Sequence, residues 1–253
     1  MLLNLLYIKA LQGFLMAFKA TYLGSNGWLI QFKNVKVIID PWIIGDLVFP
    51  PGEWFFKGTL ESEVPINLDV DLILLTQALP DHCHIPSLKK FKKDIDIICP
   101  KSAKGILEKL GFISINVLNP SEKITINNLT LEATAGAPVP QIENGYIVKD
   151  DYGSGFYIEP HGYFDHKIEK QELDAVITPT LNLELPIVGS FVKGAEVLPK
   201  LIKTFNPKYI LSSTVGGKAK YSGILNRFIS VQEYKEKLNC DLINLESMDS
   251  IKI

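Results

Sequence analysis

DLILLTQALPDHCHIPSL, residues 71–88, is the stretch that indicates both the fold and the candidate site. Its apolar run Leu72–Leu75 follows an aspartate and predicts a buried strand. Asp81, His82 and His84 then fall within four positions, just after the predicted strand has ended. Because loops that follow strands often carry the chemistry of an enzyme, these three side chains predict a site for metal binding or proton transfer.

Strand and helix patterns alternate on both sides of this stretch. Apolar runs predict strands, and amphipathic segments between them predict helices. The predicted strands include Trp28–Phe32, Val35–Ile39, Ile95–Cys99 and Ser114–Val117, and the predicted helices include Ser87–Lys93, Ala103–Leu110 and Ala195–Phe205. This alternation is typical of a sheet that is covered by helices.

Two segments outside that alternation also give local predictions. Gly45–Gly58 is rich in proline and aromatic residues and predicts a long loop. Val231–Leu238 predicts a helix near the end of the chain. No linker or low-complexity segment divides residues 20–253, so they predict a single domain.

Residues 1–19 form an apolar N-terminal extension, MLLNLLYIKALQGFLMAFK. Asn4, Lys9 and Gln12 interrupt it, so it is too short and too polar to predict a membrane span. Two alternatives stay open. The segment is an amphipathic helix that contacts a membrane surface or the body of the protein, or it is a non-native extension ahead of a start at Met16.

Composition and charge narrow the class of protein. Hydrophobic residues make up 47% of the chain and charged residues 21%, as in an ordinary globular protein with a sizeable core. The formal net charge of -2 provides no overall field to attract nucleic acid, so we expect no nucleic-acid partner. The three cysteines form no CxxC pair, which favours a reducing compartment, and we expect a cytoplasmic protein.

An internal repeat links two distant parts of the chain. Asn26–Ile30 followed by Ile39–Trp42 is echoed by Asn144–Val148 followed by Ile158–His161, and each block precedes a strand that runs from aspartate to threonine. The repeat predicts a duplicated β-rich half. In such a fold the matching strand ends face each other across a central cleft, which would bring Asp81, His82 and His84 towards Glu159 and His161.

With these motifs the chain resembles the metallo-β-lactamase-fold superfamily, and within it a lactonase-like branch of metal-dependent hydrolases with cyanobacterial and plant members. The motifs that carry the resemblance are Leu23–Ile30, Ile39–Trp42, Leu74–His82, Gly136, Glu143–Gly145 and Glu159–Gly162. The resemblance implies an α+β fold, a four-layer αββα sandwich built from two ββα halves. This architecture agrees with the repeat.

The metal-binding motif of that superfamily, Thr-His-x-His-x-Asp-His, is degenerate in this chain. The same positions read TQALPDH over residues 76–82, with Gln77 and Leu79 in place of two histidines. A third histidine is replaced by Ala137, and no histidine follows near residues 211–214. The resemblance therefore excludes the superfamily's ordinary binuclear zinc site.

The remaining ligands predict at most one divalent metal ion. The candidate ligands are Asp81, His82, His84, Glu159 and His161. This mixed histidine–carboxylate set suits zinc first, with manganese and iron as alternatives. Asp81 or Glu159 is the candidate general base if it is not a ligand. The predicted substrate-binding or supporting polar residues are Gln77, Asn144 and Lys218.

Two functions remain open from the sequence. The first is a hydrolase with a reduced, mononuclear metal site that acts on a small-molecule ester, lactone or phosphoester, as the resemblance implies. The second is a metal-free member that binds a small ligand or a protein partner. Under the second, Asp81 caps a helix and His161 bonds a loop.

Overall fold

The computed structural model describes residues 17–137, 143–186, 189–214, 217–235 and 237–253. The N-terminal extension predicted for residues 1–19 lies almost wholly outside this part of the chain. Within the described part, no helix is long and apolar enough to cross a membrane.

One large sheet is built from the first half of the chain and one strand from the end. It has seven strands in the order β20-β1-β2-β3-β6-β7-β8. These are β1 (Lys19–Gly24), β2 (Gly27–Gln31), β3 (Lys36–Ile39), β6 (Leu72–Leu74), β7 (Asp96–Cys99), β8 (Ser114–Val117) and β20 (Ser250–Lys252). The strand predicted within the 71–88 stretch lies near the middle of this sheet, where both faces are covered.

A second sheet is built from the other half and also has seven strands, in the order β19-β16-β13-β12-β11-β10-β9. They are β9 (Lys123–Ile126), β10 (Leu129–Ala135), β11 (Asn144–Asp150), β12 (Gly155–Ile158), β13 (Ala175–Thr178), β16 (Tyr209–Ser212) and β19 (Asp241–Ile243).

The two sheets share one pairing pattern, which confirms the internal repeat. In the first sheet, β1, β2 and β3 pair antiparallel, and β3, β6 and β7 pair parallel. In the second sheet, β10, β11 and β12 pair antiparallel, and β12, β13 and β16 pair parallel. Each half therefore repeats the same strand order and direction.

The packing of the helices completes four layers. The largest buried cluster lies between the sheets and takes apolar side chains from both, including Trp28, Phe156 and Ile177. The helices α1 (Ile85–Leu88) and α2 (Lys101–Lys109) cover the outer face of the first sheet, and α3 (Gly194–Phe205) covers the outer face of the second. The predicted α+β, αββα sandwich is confirmed.

Two small sheets correct local predictions. The segment predicted as a long loop contains the strands β4 (Asp46–Phe49) and β5 (Phe56–Leu60), which pair with each other and with β17 (Ala219–Ser222). The helix predicted at Val231–Leu238 is wrong at its start. Residues 230–233 there form the strand β18 (Ser230–Glu233), which pairs with β14 (Leu181–Leu185), and β14 also pairs with β15 (Gly189–Lys193).

The interlayer core gives a first testable prediction. Ile177 is fully buried between the sheets, so Ile177→Val should lower the free energy of unfolding by about 0.5–1.5 kcal/mol because it removes a packed methylene. Urea unfolding measures the change. The matched control is Ile113→Val, because Ile113 is 79% exposed and its change should stay within about 0.5 kcal/mol. Equal effects at the two positions would contradict the assigned core.

Candidate metal centre

The candidate site lies where the parallel strands of both sheets end. Asp40 follows β3 and Thr76 follows β6, while Glu159 follows β12. The hairpin turn at Asn26, between β1 and β2, reaches the same edge because β2 and β3 run antiparallel. Parallel strands place their carboxyl ends along one edge, so the repeat gathers residues from both halves around one cleft.

Asp40 organises the first-half side of the site. Its Oδ1 accepts a hydrogen bond from Thr76 N at 2.9 Å, and its Oδ2 accepts one from Thr76 Oγ1 at 2.5 Å. The same Oδ2 lies 2.8 Å from His82 Nδ1. All three side chains are fully buried. A carboxylate at Nδ1 fixes the imidazole ring and directs Nε2 into the cleft.

Three polar atoms meet where His82 Nε2 points. Asp81 Oδ2 lies 3.1 Å from His82 Nε2. Asn26 Nδ2 lies 3.1 Å from Asp81 Oδ2 and also 3.1 Å from His82 Nε2. The second oxygen of Asp81 is buried and has no hydrogen-bond partner among the described residues. We call these three residues the Asn26–Asp81–His82 triangle.

His161 is held from the second half in a matching way. Its Nδ1 lies 2.6 Å from Glu143 Oε1, and Glu143 is 2% exposed. Gln77 Nε2 lies 3.3 Å from both of these atoms. The rings of His82 and His161 have centroids 5.1 Å apart. Two histidines from opposite halves therefore stand side by side, each with a buried carboxylate on Nδ1.

Glu159 fixes the turn that presents His161. Its Oε1 accepts a hydrogen bond from His161 N at 3.2 Å, and its Oε2 accepts one from Tyr163 N at 2.6 Å. Glu159 is fully buried. It occupies the position that matches Asp40 in the repeat, and like Asp40 it orders the backbone that follows its strand.

The electrostatics of the site follow from burial and close charges. Burial alone would lower the pKa of His82, but the carboxylates of Asp81 and Asp40 hold it well above its usual value. Burial would likewise lower the pKa of His161, and Glu143 raises it. Burial opposes ionisation of Asp81, yet the charge of His82 keeps its pKa below the usual value.

Glu159 behaves differently from the other carboxylates. Burial, reinforced by the nearby Glu143 carboxylate, raises the pKa of Glu159 to about 8. Glu159 is therefore mostly protonated at neutral pH, which suits a structural carboxyl group better than the general base predicted from the sequence.

Two overlapping groups of side chains could hold a metal ion. One is Asp81, His82 and His161, and the other is Glu143, Glu159 and His161. In each group the ligand atoms lie within 4.8 Å of one another. The structure thus brings together four of the five ligands predicted from the sequence, and His161 belongs to both groups.

The fifth predicted ligand, His84, is not brought to the site. Its Nδ1 lies 2.9 Å from Ser87 Oγ, and its Nε2 lies 3.1 Å from the carbonyl oxygen of Asp46. Both ring nitrogens therefore have protein partners. Burial lowers the pKa of His84, which keeps the ring neutral in this position.

Of the three predicted supporting residues, only Gln77 lies at the site. The Asn144 side chain turns into the core, where its Nδ2 donates hydrogen bonds to Leu118 O and to the Tyr146 hydroxyl. Lys218 lines a separate surface cavity and accepts a hydrogen bond from Glu61 N through its backbone carbonyl.

Sequence reasoning missed Asn26, Asp40 and Glu143 as site residues. All three lie inside the motifs that carry the family resemblance, so the signal was present without a role attached to it. The repeat also matches Asp40 with Glu159 and could have found Asp40. Glu143 follows residues 138–142, where nothing in the pattern indicates which way the chain turns.

Comparison with known families decides which superfamily this site belongs to. Residues 19–213, most of the chain, match the β-lactamase superfamily domain. The chain belongs to the β-lactamase superfamily. The match covers both halves of the sandwich and all of the site residues described above.

Solved structures show the metallo-β-lactamase fold at low sequence identity. A possible metal-dependent hydrolase from Veillonella parvula is 14% identical with a TM-score of 0.66, covering 94% of this chain and 100% of the other. The metallo-β-lactamase fold protein YhfI from Bacillus subtilis is 13% identical, TM-score 0.64, with coverage of 93% and 98%. An isothiocyanate hydrolase from Delia radicum gut bacteria is 16% identical, TM-score 0.60, with coverage of 78% and 84%.

Proposed function

We propose that this β-lactamase superfamily member is a metal-dependent hydrolase with a mononuclear site. One divalent ion is held by Asp81, His82 and His161. The observation that carries the proposal is the pair of histidines from opposite halves, each with Nδ1 on a buried carboxylate, at 2.8 Å for His82 and 2.6 Å for His161. Metal-binding histidines are commonly oriented by such a carboxylate, which leaves Nε2 for the ion.

The residues present fit a divalent ion. Two imidazole nitrogens and one carboxylate are a ligand set that occurs with zinc and with iron. Asp81 Oδ1 and Gln77 Oε1 are buried oxygens without a hydrogen-bond partner among the described residues. An unpaired buried oxygen costs about 1–3 kcal/mol, and a nearby cation or its water removes that cost.

The side chains divide the work of hydrolysis. A divalent ion in this position polarises the scissile carbonyl or phosphoryl oxygen and makes water a stronger acid. Asp40 and Glu143 hold the two histidine rings in place through their Nδ1 atoms. Asp81 Oδ1 faces the site without a protein partner and is placed to accept a proton from the attacking water. Glu159 fixes the turn of His161.

The substrate class follows from the resemblance to lactonase-like hydrolases: a small-molecule ester, lactone or phosphoester. Cys83, Cys99 and Cys240 are free thiols, which supports a reducing, cytoplasmic setting. These assignments are part of the proposal.

A second candidate function is metal-free binding of a small ligand or a protein partner. The observation that favours it is the contact of Gln77 with Glu143 and His161, because this group pairs the His161 imidazole without any metal. Under this alternative, His82 and His161 are protonated and each is paired with its carboxylate.

Hydrolysis assays separate these two functions. Chelator-treated protein is tested on p-nitrophenyl acetate, γ-butyrolactone and bis(p-nitrophenyl) phosphate, before and after addition of Zn²⁺, Mn²⁺ or Fe²⁺. We expect metal to restore hydrolysis of at least one substrate, and Asp81→Asn to lower that rate by about 10²–10⁴-fold because the general base is lost. Asp94→Asn, at an exposed position, is the control and should leave the rate unchanged. Rates that do not respond to metal would contradict the proposal.

A further inference from the structure

The Asn26–Asp81–His82 triangle has three equal edges. Asn26 Nδ2, Asp81 Oδ2 and His82 Nε2 lie 3.1 Å from one another in all three pairs. His82 Nδ1 faces the Asp40 carboxylate, so the lone pair of Nε2 points at a carboxylate oxygen unless a cation lies between them. The centre of this triangle is therefore a place for positive charge.

Asn26 contributes more than its nitrogen to this arrangement. The residue is 2% exposed, and its Oδ1 is buried with no hydrogen-bond partner among the described residues. A half-turn of the terminal amide exchanges its oxygen and nitrogen without moving the rest of the side chain. After that exchange the three atoms of the triangle are two oxygens and an imidazole nitrogen, all of which bind divalent cations.

The edge length discriminates between coordination geometries. Metal–ligand distances of about 2.0–2.2 Å put neighbouring ligand atoms about 2.8–3.1 Å apart in an octahedron, where they subtend a right angle. The same distances give about 3.3–3.6 Å in a tetrahedron. The observed edges of 3.1 Å match one face of an octahedron.

We infer that Asn26 is a metal ligand through its side-chain oxygen, and that the site prefers a six-coordinate ion, Mn²⁺ or Fe²⁺, over tetrahedral Zn²⁺. The inference rests on the proposed function and gives its metal site a fourth ligand. Asn26, Asp81 and His82 occupy one face, and His161, whose ligand atom lies within 4.8 Å of those of Asp81 and His82, binds on another side. Two positions then remain for water and substrate.

This ligand set also explains the identity of the metal. Zinc in closed sites favours four ligands that are rich in cysteine or histidine, whereas manganese accepts carboxylate, amide carbonyl and water oxygens in octahedral geometry. An amide oxygen beside a carboxylate shifts the set towards harder, six-coordinate ions. The preference for zinc expected from the sequence is replaced by this inference.

Metal binding by the purified protein tests the assignment without any substrate. Affinities for Mn²⁺ and Zn²⁺ are measured by isothermal titration calorimetry on chelator-treated wild type, Asn26→Ala and Asn26→Asp. We expect Asn26→Ala to weaken Mn²⁺ binding by about tenfold or more and Zn²⁺ binding by less, because an octahedral ion loses a ligand that a tetrahedral ion does not need. Asn26→Asp retains an oxygen at that position and should bind Mn²⁺ at least as tightly as wild type.

Cobalt(II) reports the coordination number directly. The wild-type Co²⁺ complex should show the weak visible absorption of a six-coordinate ion, and Asn26→Ala should lower the coordination number and strengthen that absorption. Asn182→Ala is the matched control, since Asn182 is buried but bonds Gln232 and Ala195 away from the site. It should bind Mn²⁺ as wild type does.

The possible outcomes separate this inference from the proposed function. Wild type that binds one ion with equal affinity in Asn26→Ala, or a Co²⁺ spectrum of intense four-coordinate type, overturns the role of Asn26 and leaves the metal-dependent hydrolase intact. Asn26→Asp that binds Mn²⁺ about tenfold more weakly than wild type overturns it as well. Wild type that binds no divalent ion overturns both.

Discussion

Replacing Asp40 with alanine should lower the free energy of unfolding by about 3–5 kcal/mol. The substitution removes the acceptor for Thr76 N, for Thr76 Oγ1 and for His82 Nδ1 at once. All of these groups are fully buried, so no water can replace the lost hydrogen bonds without a rearrangement. Chemical denaturation at neutral pH measures the change.

A matched pair of variants makes the Asp40 result specific. Asp69→Ala removes an exposed aspartate and should change the stability by less than about 0.5 kcal/mol. Asp40→Asn keeps the shape and should fall between these values. A loss of less than about 1 kcal/mol in Asp40→Ala would show that Asp40 does not organise this side of the site.

The large-scale fold could be predicted because it depends on features that repeat along the sequence. The blocks at Asn26–Ile30 and Asn144–Val148 mark equivalent strands, and the aspartate-to-threonine strands mark equivalent positions in the parallel part of each sheet. A buried parallel strand such as β6 is apolar at every position, so Leu72–Leu74 was recognisable without tertiary information.

Local errors occurred where tertiary pairing outweighs local pattern. β4 and β5 lie in a segment with Pro50, Pro51 and Gly52 at its centre, which reads as a loop. The pairing of β5 with β17, residues that are distant in sequence, is what makes it a sheet. β18 is exposed along its length, so its sequence lacks the buried alternation that identifies a strand.

The site could be predicted only in part, because ligand types are visible in a sequence but their second contacts are not. Asp81, His82 and His161 stood out as classical ligand types near strand ends. His84 is the same type of residue two positions after His82, and only the structure shows its nitrogens bonded to Ser87 and Asp46. Asn26 gains its role from two contacts that span more than fifty residues.

The central claim is that one divalent ion is held between the two halves by histidines that carboxylates orient. Removing either histidine takes away a ligand and leaves its buried carboxylate, Asp40 or Glu143, without its partner. We therefore expect His82→Ala and His161→Ala each to lose nearly all bound metal. His166→Ala, at an exposed position that stacks only on Phe164, should retain it.

Metal content of protein purified without chelator, measured by inductively coupled plasma mass spectrometry, tests this claim most directly. The account predicts about one divalent ion per chain in wild type and in His166→Ala, and almost none in His82→Ala or His161→Ala. Sub-stoichiometric metal in wild type, or a content that neither substitution changes, would contradict it.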